Sequence, residues 1–178
     1  FIKNISICES LEEPTRQAIE CFDINEHELV AIGYSENKSK TICVYTKEGV
    51  FQYGYHFICD GSYGIELTND YLIIYIVRGS VVLSINSHTG EIEEMLSVPN
   101  SIENNIYYNE ISSNKRQIGE VEYKLKNNYG IFNFFITSHS QLIRVDENGN
   151  ETVLHDVSST EYKKVIFSII AGAIFVFG

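Results

Sequence analysis

Tryptophan is absent from this sequence, proline and methionine are nearly so, and its 13 lysines and arginines are outnumbered by 24 aspartates and glutamates. The resulting net charge of −11 argues against a nucleic-acid partner, because an acidic surface repels a phosphate backbone. Bases are scarcest in the middle, where residues 61–110 hold seven acids and a single base, Arg78. Catalytic signatures are missing too. No G-x-S-x-G elbow, H-E-x-x-H pair, glycine-rich phosphate loop or complete calcium loop occurs. His27, His56, His88, His139 and His155 are dispersed. The tightest group of metal-capable residues, His56, Cys59 and Asp60, has no second cluster to complete the ligand set that zinc needs. Cys8, Cys21, Cys43 and Cys59 show no C-x-x-C spacing, which removes thioredoxin-type and zinc-ribbon readings and leaves reduced thiols as the expectation. Cys43 and Cys59 fall on adjacent predicted strands and are the pair that could bridge in an oxidising compartment. Neither a cofactor nor a metal is expected.

What the chain has is isoleucine, valine, leucine, phenylalanine and tyrosine. Apolar residues make up 44% and charged residues 21%, a globular balance whose β-branched and aromatic bias favours strands. Three segments align with one another. In the first, runs at 29–34, 41–45 and 50–55 are joined through a turn at Gly49; in the second, runs at 71–77, 81–85 and 91–96 are joined through Gly90; in the third, runs at 131–136, 141–145 and 151–154 are joined through Gly149. A residue able to take positive φ closes a hairpin between such runs without steric cost. The three glycines are 41 and 59 residues apart, the period of a propeller blade followed by that period plus an insertion. The first run of each unit is nearly continuous in apolar residues, as in a strand covered on both faces.

These units resemble β-propeller blades of the quinoprotein and WD types, in the manner of small bacterial membrane-associated proteins with propeller-like repeats. The resemblance covers about 125 residues and includes no W-D dipeptide. It implies an all-β fold of three propeller-like antiparallel blades, forming an incomplete propeller or a curved sheet. The expected organisation is a β-repeat domain over 1–162, with units at about 29–70, 71–98 and 131–157 and an insertion at 99–128. Within the insertion, 100–109 is rich in turn formers, while 115–126 alternates and reads as an exposed hairpin turning at Gly119 and Glu120. Residues 9–20 are the one helix expected, capped by Ser10 with Glu13, and 21–24 should continue as a strand.

Residues 165–178 carry no charge and follow Lys163 and Lys164. This run reads as the start of a transmembrane helix over 163–178: fourteen helical residues reach about 21 Å of a hydrocarbon core of about 30 Å. A competing register makes 173–177 the inner strand of a further blade, since Val50 to Leu72 and Thr152 to Ile174 share a spacing of 22. The two lysines would place the domain in the cytoplasm by the positive-inside rule, but only one flank of the helix can be read, so the side of the membrane is undetermined. The functional expectation is a noncatalytic, membrane-tethered β-repeat domain that binds a protein or envelope ligand. The alternative is a hydrolytic enzyme whose site, drawn from loops and including Arg78, His56 and Asp60, leaves no linear motif. Arg78, Tyr107, Tyr108, Lys115 and Arg116 are the candidate binding surface, with Arg78 expected to pair with Glu66 or Asp70 or to meet an anionic ligand.

Overall fold

The computed structural model of the chain describes residues 8–10, 13, 17–134, 136, 138–160, 163, 166 and 167. Among them the fold is mostly β, in three antiparallel sheets, none closed into a barrel. The first runs in the order β1-β5-β4-β3-β2, from β1 (Cys8–Ser10), β2 (Ile19–Ile24), β3 (Val30–Glu36), β4 (Ser39–Tyr45) and β5 (Phe51–Ile58). The second is the meander of β6 (Tyr63–Leu67), β7 (Tyr71–Ile76), β8 (Val81–Asn86) and β9 (Ile92–Ser97). The third is the meander of β10 (Lys115–Ile118), β11 (Val121–Lys126), β12 (Gln141–Val145) and β13 (Glu151–Asp156). Helix α1 (Ile102–Ile111) joins the second sheet to the third, and a 3-10 helix, Gly130–Phe134, joins β11 to β12.

The first sheet is the middle layer. One face packs Cys21, Ala31, Ile42, Tyr55 and Phe57 against Tyr63, Ile65, Leu72, Ile74 and Leu83 of the second sheet. Its other face packs Phe22, Val30, Ile32, Tyr34 and Tyr45 against Tyr123, Leu125 and Leu142 of the third. Coverage on both faces explains why β3 and β4 read as unbroken apolar runs rather than alternations. Each fully buried Ile, Leu or Phe contributes about 1.5–3 kcal/mol, so these two interfaces hold the sheets together. By contrast β8 alternates buried and half-buried along its length, as befits a strand with one covered face.

The hairpin glycines behave as their sequence context requires: Gly49, Gly90 and Gly149 have φ of 80°, 73° and 81°. Several expectations are corrected. Of the run 131–136, expected as a strand, residues 131–134 belong instead to the 3-10 helix Gly130–Phe134, with Ile131 and Phe134 outward, 85% and 91% exposed, and Phe135 lies outside the described residues. The strand it was expected to supply is β11, which brings Tyr123 and Leu125 inward. The hairpin at 115–126 forms with the predicted turn and supplies two of the third sheet's strands, β10 at its edge and β11 next to it.

Most of the stretch 100–109, read as rich in turn formers, belongs to α1, Ile102–Ile111, whose N-cap Ser101 accepts a hydrogen bond from the Asn104 backbone at 3.2 Å. The helix expected over 9–20 is displaced at both ends by β1 and β2; residues 11, 12 and 14–16 lie outside the described residues. The strand expected at 21–24 is part of β2. Cys43 and Cys59 are free and buried. Among the described residues no helix is long and apolar enough to cross a membrane. Of the apolar run 165–178, read as a transmembrane helix or a further strand, all but Ile166 and Phe167 lies outside the described residues.

Gly33 on β3 faces the first interface with no room for a side chain: a Cβ there would sit 2.6 Å from both Cys21 Sγ and the Tyr63 hydroxyl. We expect Gly33→Ala to destabilise the fold by about 1–3 kcal/mol, the usual cost of overpacking a filled core. Urea unfolding of the variant checks this; an unchanged midpoint would mean the two sheets do not meet at Gly33.

Candidate functional site

The first strands of the three meanders, β2, β6 and β10, converge on Asp23. This residue interrupts the apolar sequence of β2 and is 8% exposed. Its Oδ2 accepts from the Leu67 backbone on β6 at 2.7 Å, and its Oδ1 accepts from Arg116 Nε on β10 at 2.6 Å. Arg116 Nη1 donates to the Ser113 and Lys115 carbonyls at 3.0 and 2.9 Å, and Nη2 to those of Phe22 and Ile111 at 3.2 and 2.6 Å. All five guanidinium donors are thus occupied, and the group lies 5.4 Å from the Phe22 ring centre. Burial outweighs these contacts at the carboxylate and raises the Asp23 pKa above its ordinary value.

Beside this junction α1 lies on the second sheet. Tyr107 donates to Glu66 Oε2 at 2.6 Å, and Tyr107 and Tyr108 flank Tyr75 with ring centres 6.0 and 5.5 Å away. Burial raises both phenols. A second polar link crosses from the first sheet to the second: buried Lys40 meets Glu20 Oε2 at 3.3 Å and bonds Ser35, while Glu20 Oε1 accepts from the Tyr63 backbone at 3.2 Å. A third joins the first sheet to β13, where His155 Nε2 and the Tyr34 hydroxyl are 2.7 Å apart and Tyr34 and Tyr45 share a hydrogen bond of 3.2 Å.

Of the predicted surface, Tyr107, Tyr108 and Arg116 therefore come together, but as internal contacts rather than as an open face. Lys115 is separate and exposed, paired with Glu122 at 3.1 Å across its hairpin. Arg78 is elsewhere. Its expected partners are engaged, Glu66 by Tyr107 and Asp70 by His88 at 3.4 Å. Arg78 lines a hollow of about 420 Å³ with Lys38, Ile58, Cys59, Asp60, Ile76 and Gly79, where the β3–β4, β5–β6 and β7–β8 connections meet. Lys38 holds the Asp60 carboxylate at 3.0 Å and lowers its pKa, while Ile58 is 66% exposed. The arrangement sets Arg78 beside the Lys38–Asp60 pair, where its charge also lowers the Asp60 pKa. His56 is not part of it. Among the described residues no group of three metal-ligating side chains gathers.

The sequence reading gave no role to Asp23, Glu20 or Lys40, paired Glu66 with Arg78 rather than with Tyr107, and named His155 only as one of five dispersed histidines; the one signal was a charged residue inside an apolar strand, as at Asp23. No family model matches the chain, and no curated protein matches it either.

Removing one partner of a buried pair leaves an uncompensated charge. We expect Arg116→Met to destabilise the protein by about 3–5 kcal/mol and Asp23→Asn in that background to restore part of the loss, because an amide oxygen still accepts from Leu67. Urea unfolding of the three proteins decides; a double variant no better than Arg116→Met would show that charge is not what the pair compensates. With its pKa raised by folding, Asp23 stabilises below its unfolded value of about 3.9, and that contribution is lost as pH rises through the folded value. Arg116→Met should therefore lose more stability between pH 4 and 7 than the parent. Burial also pushes the Cys43 thiol up to about 12, so Cys43 should resist alkylation at pH 8 until the protein is unfolded, as read by mass spectrometry; rapid native labelling would contradict its burial.

Proposed function

We propose that the three meanders are propeller-type blades and that the chain is a noncatalytic binding domain, tethered to a membrane by its C-terminal apolar segment, whose connecting loops meet a protein or envelope ligand. The observation that favours binding over chemistry is the state of the interior polar groups. Asp23, Arg116, Glu66, Tyr107, Lys40 and Glu20 all join one part of the fold to another, whereas a general acid or base needs an atom turned toward substrate. Binding falls instead to the rim around Arg78, where loops on a rigid scaffold carry the variable chemistry. Tethering is supported by the fourteen uncharged residues at 165–178, which as a helix reach about 21 Å into the hydrocarbon core.

The tether is tested by charge. In the full chain expressed in cells, Ile169→Lys with Ile174→Lys would each cost about 2.5–3.5 kcal/mol at a helix centre. The parent should sediment with membranes and resist high-salt extraction, and the double variant should move to the supernatant. Identical partitioning of the two proteins would remove the tether.

A further inference from the structure

The three connections that meet at Arg78 are stitched into one rim by their backbones. The Cys59 N–H, just past β5, donates to the Lys38 carbonyl in the β3–β4 turn at 3.0 Å, and the Val77 N–H donates to the Ser62 carbonyl at 3.2 Å. The Ser80 N–H closes the β7–β8 connection on the Val77 carbonyl at 3.1 Å. Gly61, at φ 89°, passes so near the Arg78 stem that a Cβ there would lie 3.2 Å from Arg78 Cβ and 3.7 Å from its Cδ. The stem is held in place before any ligand arrives, which lowers the ordering cost that binding must overcome.

This rim presents charge and an apolar surface side by side. Lys38, Asp60 and Arg78 are exposed at the hollow of about 420 Å³, and two bases against one acid leave it net positive on a chain of net charge −11. Lys38 and Asp60 pair at 3.0 Å with their side chains 70% and 51% exposed. Among the described residues no hydrogen bond or ion pair engages the Arg78 guanidinium, although its charge reaches the Asp60 carboxylate. Ile58 stands exposed at the same hollow. A guanidinium meets a carboxylate fork to fork, whereas a dianionic phosphate would be set against Asp60. An acyl chain has little to lie along, since the apolar part of the lining is Ile58, Ile76 and Cys59.

We propose that this hollow binds the C-terminal carboxylate of a peptide chain ending in a branched apolar residue, with Arg78 and Lys38 on the carboxylate and Ile58 against the terminal side chain. Asp60 competes with that carboxylate for both bases. The inference rests on the reading of the Arg78 rim as the binding surface and adds the chemical class of what it binds.

A tetrapeptide ending in leucine, with a neutral fluorophore at its other end, is titrated with the full chain in nonionic detergent at low salt, and fluorescence anisotropy reads the binding. The same peptide closed as a carboxamide, or ending in glycine, should bind at least about tenfold more weakly, the loss expected when a charge-assisted pair or an apolar contact is removed. Arg78→Gln should weaken binding by a similar factor, Arg78→Lys should restore only part of it, and Asp60→Asn should strengthen it. All three variants should keep the parent's urea midpoint, because an exposed ion pair adds little stability. Equal binding of the acid and the amide, or equal binding by the parent and Arg78→Gln, would overturn the proposal. Calorimetry with inorganic phosphate and with octanoate separates the failures. Either anion bound through Arg78 in place of the peptide overturns the peptide assignment and leaves the rim as the binding surface; a folded protein that binds none of the three overturns both.

Discussion

The Arg116 guanidinium is the point on which the arrangement of the sheets depends. Sheets that pack only through apolar faces can slide, because dispersion and the hydrophobic effect are weakly directional. A planar donor set with five fixed directions cannot slide. Arg116 on β10 binds the Asp23 carboxylate and the Phe22 carbonyl on β2, and Asp23 in turn binds the β6 backbone at Leu67. One ion pair thereby sets the position of three first strands, and the Ile111 carbonyl at the end of α1 is drawn into the same knot. The raised pKa of Asp23 shows the cost of this arrangement: burial is unfavourable to the carboxylate, and the contacts offset it incompletely.

Apolar packing acts outward from that knot. The first sheet, covered on both faces, contributes side chains to two separate cores, so damage to it reaches both neighbours. Its strands have little latitude. Gly33 leaves space for Cys21 and Tyr63 to meet across the first interface, and the buried Lys40 ammonium is answered there by Glu20. The outer faces of the second and third sheets lack that constraint. They carry the acidic β9 and the lysine and glutamate pairs of β10, β11 and β13, whose exposed ion pairs contribute little stability.

The sequence made the meanders legible because their information is local. Gly49, Gly90 and Gly149 mark hairpins whatever the tertiary context, and the alternation in 121–126 shows which side of β11 faces inward. The aromatic run at 131–136 misled for a physical reason: apolar residues in series fit a strand covered on both faces, and equally a loop that holds residues such as Ile131 and Phe134 outward. Only the position of β11 distinguishes the two. Helix α1 was hidden among asparagines because its order comes from the Ser101 cap and from Tyr107, Tyr108 and Ile111 seated on the second sheet, which are tertiary facts. The same limit applies to the candidate site. A lone arginine beside a hairpin reads as surface, and nothing within 111–120 reveals that Asp23, ninety-three positions earlier, will meet it.

Arg116 and Arg78 show how one residue type takes opposite roles according to what surrounds its donors. Arg116 lies in a stretch that reads as an exposed hairpin, and Arg78 directly follows the apolar run 71–77. Arg116 is enclosed by four carbonyls and a carboxylate, so its charge is consumed in joining sheets, and a ligand could recruit it only by breaking the fold. Arg78 extends from the β7–β8 connection over a hollow that holds the Lys38–Asp60 pair, and its charge also reaches the Asp60 carboxylate. In the proposed reading it is the base left at a rim of an otherwise acidic chain to meet an anion. The polar interior fixes the scaffold; in the proposed reading, recognition falls to the groups that the scaffold does not need.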